Sequence, residues 1–89
     1  MIINPQSGSG GIKLLAHNVV TIPYDGATVE VPVPTSLFVF ATMGANLGCV
    51  GMRGASVGGT SIRATLSTDG NELSLYCYAD GNIEYWAFG

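Results

Sequence analysis

The pattern of apolar and polar positions along the chain is that of β-strands joined by short turns. Asp-Gly pairs, which favour tight type I′ hairpin turns, stand at 25–26, 69–70 and 80–81. Between such signals run stretches of strand length and composition: Ile12 to Pro23, Thr28 to Val33, Leu37 to Met43, Ser61 to Leu66, Glu72 to Tyr78 and Ile83 to Phe88. We therefore predict an all-β domain of six or seven antiparallel strands, forming a small β-sandwich or an open β-barrel.

The second stretch has the clearest alternation. Val29, Val31 and Val33 face one way, whereas Thr28, Glu30 and Pro32 face the other. Pro32 and Pro34 cannot donate ladder hydrogen bonds, which predicts an edge strand. A two-residue turn at 25–26 would pair this strand with the first, placing Ile22 opposite Val29 and Val20 opposite Val31.

Two-residue turns at 69–70 and 80–81 predict a C-terminal three-stranded meander. Leu66 then lies opposite Leu73, and Leu75 lies opposite both Ala64 and Trp86. One face of this meander is apolar enough to be core: Ile62, Ala64, Leu66, Leu73, Leu75, Cys77, Trp86 and Phe88, with Glu84 at its rim. The other face carries Arg63, Thr65, Ser74, Tyr76, Tyr78, Ile83, Tyr85 and Ala87.

Arg63, Tyr76, Tyr78 and Tyr85 on that second face are the residues we predict for an interface or a ligand. Tyrosine and arginine are enriched at interfaces, because the tyrosine ring buries apolar area while its hydroxyl keeps a polar partner. Three interpretations stay open: the face covers a second layer of the same domain, contacts another subunit, or binds a carbohydrate or other small ligand. A one-residue shift after Asp80 would exchange Tyr85 and Trp86 between the faces.

The central part of the chain has two unusual segments. The stretch from Leu37 to Met43 is apolar on both faces, so Leu37, Phe38, Val39 and Phe40 are predicted to be covered by the rest of the fold or by another subunit. The segment from Gly44 to Gly59 holds six glycines in sixteen residues. It predicts either a loop around one short irregular strand or a place where the backbone closely approaches another backbone or a ligand.

Composition adds an expectation of self-assembly. Of 89 residues, 47% are hydrophobic and only 10% are charged. Such a surface aggregates unless it is buried, which favours a homo-oligomer, with a trimer as first choice. The net charge is −3 and the only cations are Lys13, Arg53 and Arg63, which argues against nucleic-acid binding. An Sm-like oligomeric β-barrel that binds RNA or single-stranded nucleic acid remains an alternative.

The sequence offers little for catalysis. His17 is the only histidine and lies inside a predicted strand, and the aspartates are accounted for by their turns. Cys49 and Cys77 stand 28 positions apart without metal-ligand spacing, and buried free thiols are favoured over a disulfide. We therefore expect no enzyme activity, no cofactor and no metal site.

Residues 1–11 include NPQSGSGG and are predicted to form a flexible N-terminal arm, with a single domain over residues 12–89. We identify no signal peptide and no apolar run long enough to cross a membrane.

The C-terminal third resembles small domains of phage tail and tail-fibre proteins. It reads SIRATLSTDGNELSLYCYADGNIEYWAFG and ends on a short aromatic-aliphatic strand followed by glycine, as such domains often do. The resemblance implies a small virion component that acts by shape and contact, in the virion or in the cytoplasm of an infected host. Its partners would be copies of itself, other virion proteins or a host surface glycan.

Overall fold

The protein consists of eight β-strands in the computed structural model, which describes residues 11–58 and 60–89. The strands are β1 (Leu14–Ile22), β2 (Thr28–Pro32), β3 (Phe38–Met43), β4 (Leu47–Met52), β5 (Ala55–Gly58), β6 (Ile62–Leu66), β7 (Glu72–Cys77) and β8 (Gly81–Phe88). The predicted N-terminal arm, residues 1–11, lies outside the described residues except for Gly11. Within the described ranges, no helix is long and apolar enough to cross a lipid bilayer.

The strands form two antiparallel sheets, which confirms the all-β fold class. A five-stranded sheet has the order β1-β8-β3-β4-β5, and a three-stranded sheet has the order β2-β7-β6. The observed eight strands exceed the predicted six or seven because the segment from Gly44 to Gly59 forms two strands, β4 and β5, rather than one short strand within a loop.

The first Asp-Gly turn does not form the predicted hairpin. The Ala27 N–H donates to the Tyr24 carbonyl oxygen at 3.1 Å, so a turn is present. However, only Gly26 in it has a positive φ, +80°, whereas a type I′ turn needs a positive φ at both central residues. The turn carries the chain from one sheet to the other: Ile22 lies opposite Gly81, and Val29 lies opposite Leu75. The predicted pairing of Ile22 with Val29 and of Val20 with Val31 is therefore wrong.

The predicted meander is half present. The β6–β7 hairpin has the predicted register, with Leu66 opposite Leu73 and Ala64 opposite Leu75. After β7 the chain crosses back to the five-stranded sheet, where β8 lies between β1 and β3. The Asp80 N–H donates to the Asp25 carboxylate at 2.9 Å, which ties this crossing to the turn that follows β1. Trp86 consequently pairs with His17 and Phe40 instead of Leu75.

The core lies between the two sheets and corrects the predicted faces of β8. The predicted inward residues of β6 and β7 are all buried: Ile62, Ala64, Leu66, Leu73, Leu75 and Cys77. In β8, however, Ile83, Tyr85 and Ala87 are the buried residues, whereas Trp86 and Phe88 are half-buried on the outer face. Because β8 joins the other sheet, its inward parity is opposite to that predicted from a hairpin with β7.

Two further predictions are confirmed. β2 is an edge strand, with Thr28, Glu30 and Pro32 exposed. The backbone of Gly51 passes so close to β6 that a Cβ atom there would lie 2.6 Å from the Ala64 carbonyl oxygen. The glycine-rich segment thus contains the predicted close approach of one backbone to another.

Candidate functional site

The outer face of the five-stranded sheet carries a continuous row of apolar and aromatic side chains. Residues directly opposite one another in neighbouring strands lie on the same face of a sheet. The strand registers place Trp86 opposite His17 on one side and opposite Phe40 on the other. Phe40 in turn lies opposite Val50, and Val50 opposite Val57, so the row crosses all five strands.

The rings in this row are in contact. The His17 and Trp86 rings are stacked, with centroids 4.8 Å apart and planes at 16°. The Phe40 ring lies 5.7 Å from Trp86 at a tilt of 35°. Such pairs add about 0.5–1.5 kcal/mol each beyond the area they bury, so they hold these rings in place on the surface.

A second row runs parallel to the first. Phe88 lies opposite Leu14 and Phe38, and Phe38 lies opposite Met52. The Phe38 and Phe88 rings are stacked with centroids 5.0 Å apart. We call the two rows, together with Val19 beside them, the aromatic surface; its residues are Leu14, His17, Val19, Phe38, Phe40, Val50, Met52, Val57, Trp86 and Phe88.

Much of the aromatic surface is open to solvent. Phe40 is 42% exposed, Met52 45% and Val57 57%, although each belongs to a sheet whose other face is core. The two rows cross strands about 4.8 Å apart and lie two residue steps apart, so with the width of the side chains the footprint is roughly 24 by 12 Å, or about 300 Å². Apolar patches of this size on a single chain often mark interaction sites.

Charge is sparse on this face. Glu84 lies two residues along β8 from Trp86, and its Oε2 lies 2.5 Å from the Nε2 of His17. Both side chains are close to half exposed, so the pair contributes little to stability. Its effect is to place the carboxylate against a partner at the rim of an otherwise apolar surface.

The predicted Tyr/Arg face is divided by the structure. Tyr85 is only 3% exposed and belongs to the core, with the Asn18 side-chain nitrogen 3.4 Å from its hydroxyl. It cannot share a face with Tyr76, whose neighbours across the sheet are Thr28 and Arg63. Tyr78 follows β7 and is exposed.

Arg63 and Tyr76 do come together, on the outer face of the three-stranded sheet. The guanidinium carbon of Arg63 lies 4.1 Å from the Tyr76 ring centroid, a cation–π contact that covers one face of the ring. Beside this pair is a shallow groove of about 170 Å³, lined by Glu30, Thr65, Leu66, Ser67, Glu72 and Ser74. This face is polar, in contrast to the aromatic surface.

The predicted interface strand is also split between two environments. Val39 is fully buried in the core, so it cannot contribute to an exposed surface. Phe38 and Phe40 lie on the aromatic surface, and Leu37 lies just before β3 and is half exposed.

His17, Trp86 and Val57 were not predicted as members of this site. The available signal was that the last part of β8, residues 85–88, is like β3 apolar at both odd and even positions, which is typical of a strand with apolar neighbours on both faces.

The remaining candidate groups are structural. Cys49 and Cys77 are free and buried, as predicted, and the Cys77 Sγ contacts the Met43 Sδ at 3.4 Å. Arg53 donates from its Nε to the Ser36 carbonyl oxygen at 2.9 Å. In the part of the chain that the structure describes, no group of three or more His, Cys, Asp or Glu side chains is placed to hold a metal ion.

No family model, curated protein or solved structure matches this chain.

Proposed function

We propose that the chain is a non-enzymatic structural or attachment domain, of the kind found in phage virions, that assembles with copies of itself through the aromatic surface. The observation that carries this proposal is the open apolar row from His17 to Val57 across all five strands. The phage assignment itself depends on the resemblance of residues 61–89 and on no feature of the fold.

A second copy is the partner that the aromatic surface fits best. Its members are almost entirely uncharged and lack the hydroxyl and amide groups that would bind a sugar. A face of this kind is complementary to itself, because apolar area is buried on both sides and the Glu84 carboxylate already has His17 beside it. Packing of two such faces across a two-fold axis gives an even number of subunits, whereas the predicted trimer would need a second, different surface.

The test is the mass in solution, measured by light scattering behind a sizing column at low and high salt. We expect the wild-type chain to form an oligomer that survives high salt, because apolar burial is not screened. The variant Phe40→Thr with Val57→Lys should instead elute at a smaller mass than the wild type, because the contact between the two faces is lost. Both changes are on the outer face, so circular dichroism and the melting temperature should show a folded domain.

The matched control is Tyr78→Ser, which alters an exposed aromatic residue outside the aromatic surface. It should leave the oligomer intact. A wild-type chain that is monomeric at all concentrations, or a Phe40 and Val57 double variant with the same mass as the wild type, would contradict the proposal.

A second candidate function is supported by the groove on the three-stranded sheet. Its side chains offer hydroxyls from Thr65 and Ser74 and carboxylates from Glu30 and Glu72, whereas the Ser67 hydroxyl is hydrogen-bonded to Asn71 and Glu72 within its own turn. These groups suit a small polyhydroxylated ligand. The Arg63 guanidinium covers one face of Tyr76, which reduces the ring area available for stacking on a sugar. A monomeric wild-type chain would favour this function over self-assembly.

A further inference from the structure

The two sheets have four edge strands among the described residues, and three of them are protected. On β2, the Val33 N–H donates to Asn71, and the register then directs the backbone groups of Thr28, Glu30 and Pro32 away from the sheet. Pro32 has no N–H to offer, and Glu30 adds a charge. Strand addition at β2 is therefore blocked.

The edges of β5 and β6 form hydrogen bonds with each other. The Gly54 N–H donates to the Leu66 carbonyl oxygen at 2.8 Å, and the Ala64 N–H donates to the Ser56 hydroxyl oxygen at 3.3 Å. These contacts close one side of the sandwich, where the two sheets meet.

The fourth edge, β1, has no such protection from residues 11–58 or 60–89. It is nine residues long, contains no proline, and has no charged residue other than His17 on protonation. Its one irregularity lies between Leu14 and Ala16, so the register from Ala16 to Ile22 is regular. Val19, at the middle of the strand, is 60% exposed.

The hydrogen bonds at the end of β8 show which backbone groups of β1 point outward. The Gly89 N–H donates to Lys13, whereas the Phe88 carbonyl oxygen accepts from Leu37, ahead of β3. The backbone N–H and C=O groups of successive residues in a strand point alternately to the two neighbouring strands. The backbone groups of the odd-numbered residues of β8 therefore point to β1. Their partners Ala16, Asn18, Val20 and Ile22 face β8. The N–H and C=O groups of His17, Val19 and Thr21 therefore point away from the sheet.

We propose that β1 pairs antiparallel with β1 of a second copy, so that His17, Val19 and Thr21 exchange backbone hydrogen bonds with the same three residues of that copy. Antiparallel pairing of one strand with itself is a two-fold arrangement, which needs a single self-complementary edge. No like charges face each other in it, and the exposed Val19 side chains gain a cross-strand apolar neighbour. Two five-stranded sheets become one continuous sheet of ten strands.

This contact does not depend on the proposed function. It uses the backbone of one edge, whereas the proposed function uses side chains on the face of the sheet. Substitution of Phe40 and Val57 leaves the β1 edge unchanged, so each contact can fail without the other.

The test compares Val19→Pro with Val19→Thr. Proline removes an N–H that points away from β8, so the ladder with β8 remains, but the β1–β1 pairing loses a central hydrogen bond. Threonine keeps the N–H and favours a strand. Both changes are made in the Phe40→Thr, Val57→Lys variant, in which the contact between the aromatic surfaces is already lost. We expect Val19→Pro to halve the mass of that variant, because the edge-paired dimer is lost, and Val19→Thr to leave the mass unchanged.

Residue-resolved hydrogen exchange of the wild-type chain tests the same contact without any substitution. The amides of His17, Val19 and Thr21 should become protected as protein concentration rises, whereas those of Asn18 and Val20 stay protected throughout. Equal exchange of the three outward amides at low and high concentration would overturn the proposal. Protection that is independent of concentration and is lost on deletion of residues 1–10 would overturn it too, because the chain's own N-terminal segment would then occupy the edge.

Discussion

Gly51 shows how a single missing side chain permits the two sheets to meet. A Cβ atom at this position would lie 2.6 Å from the Ala64 carbonyl oxygen and 2.9 Å from the Ala64 Cβ, closer than real contacts allow. The atoms in the way are mostly backbone, so they cannot move aside without shifting β6. The glycine is therefore required by the distance between two strands and not by a turn.

We expect Gly51→Ala to destabilise the fold by about 3 kcal/mol or more, because overpacking of this kind displaces backbone. Gly48→Ala in the same strand is the control. A Cβ there would meet the Ala41 carbonyl oxygen and Thr42 at 3.6 Å, an ordinary contact distance. Urea unfolding of the two variants beside the wild type measures the difference, and equal stabilities would contradict the packing argument.

The Cys49 thiol is a second residue whose burial has a measurable consequence. Burial raises the pKa of the Cys49 thiol; a backbone hydrogen bond with Ala64 opposes the rise, and nearby Cys77 adds to it. In the unfolded chain a thiol ionises near pH 8.5. Above that pH the unfolded state loses its proton before the folded state does, so stability is full below about pH 8.5 and falls as the pH rises toward the folded pKa.

Cys49→Ala removes the thiol and therefore also the loss of stability at alkaline pH. At neutral pH the variant should be the less stable protein, because it leaves a small cavity. Above about pH 8.5 the gap in unfolding free energy should narrow, by at most about 1.4 kcal/mol per pH unit for one thiol. Urea titrations from pH 7 to 10 under reducing conditions measure both curves; a constant gap would show that Cys49 ionises alike in the folded and unfolded chains.

At the scale of elements, two of the four connections that cross between the sheets, among the described strands, are joined by one hydrogen bond. Asp25 follows β1, and Asp80 precedes β8, yet the Asp80 N–H donates to the Asp25 carboxylate at 2.9 Å. The same region has a backbone hydrogen bond from Gly26 to the Cys77 carbonyl oxygen at 3.0 Å. Both crossings therefore lie at one end of the sandwich and support each other.

Asp25→Ala should lower the unfolding free energy by about 1 kcal/mol, the usual net value of one hydrogen bond. Asp25→Asn keeps an oxygen that can accept from the Asp80 N–H and should lose less. Thermal melts of the two variants make the comparison. If asparagine costs as much as alanine, the carboxylate charge matters more than the hydrogen bond.

The elements also show what the sequence can and cannot predict. Strand positions follow from local alternation, as in β2, and the β6–β7 register follows from one short turn. The partners of β1 and β8 could not be predicted in this way, because they depend on whether the Asp-Gly turns at 25–26 and 80–81 reverse the chain within a sheet or carry it to the other sheet. With β8 assigned to the wrong sheet, Tyr85 and Trp86 exchanged faces.

At the scale of the whole molecule, the candidate site was predicted only in part. Phe38 and Phe40 were identified because their strand is apolar on both faces, and both belong to the aromatic surface. His17 and Trp86 join it through pairing between the first and last strands, which no local pattern reports. The resulting asymmetry, with an apolar outer face on one sheet and a polar one on the other, is a property of the assembled sandwich.

The position of β8 between β1 and β3 also sets an order of events during translation. Residues 14–22 have no partner strand within their sheet until residues 81–88 have left the ribosome. In a nascent chain that stops before that point, β1 has no strand paired with it, and the edge of β3 that pairs with β8 is exposed. Truncated products are thus open to proteases and chaperones, and only chains that contain the eighth strand complete the sheet that carries the aromatic surface.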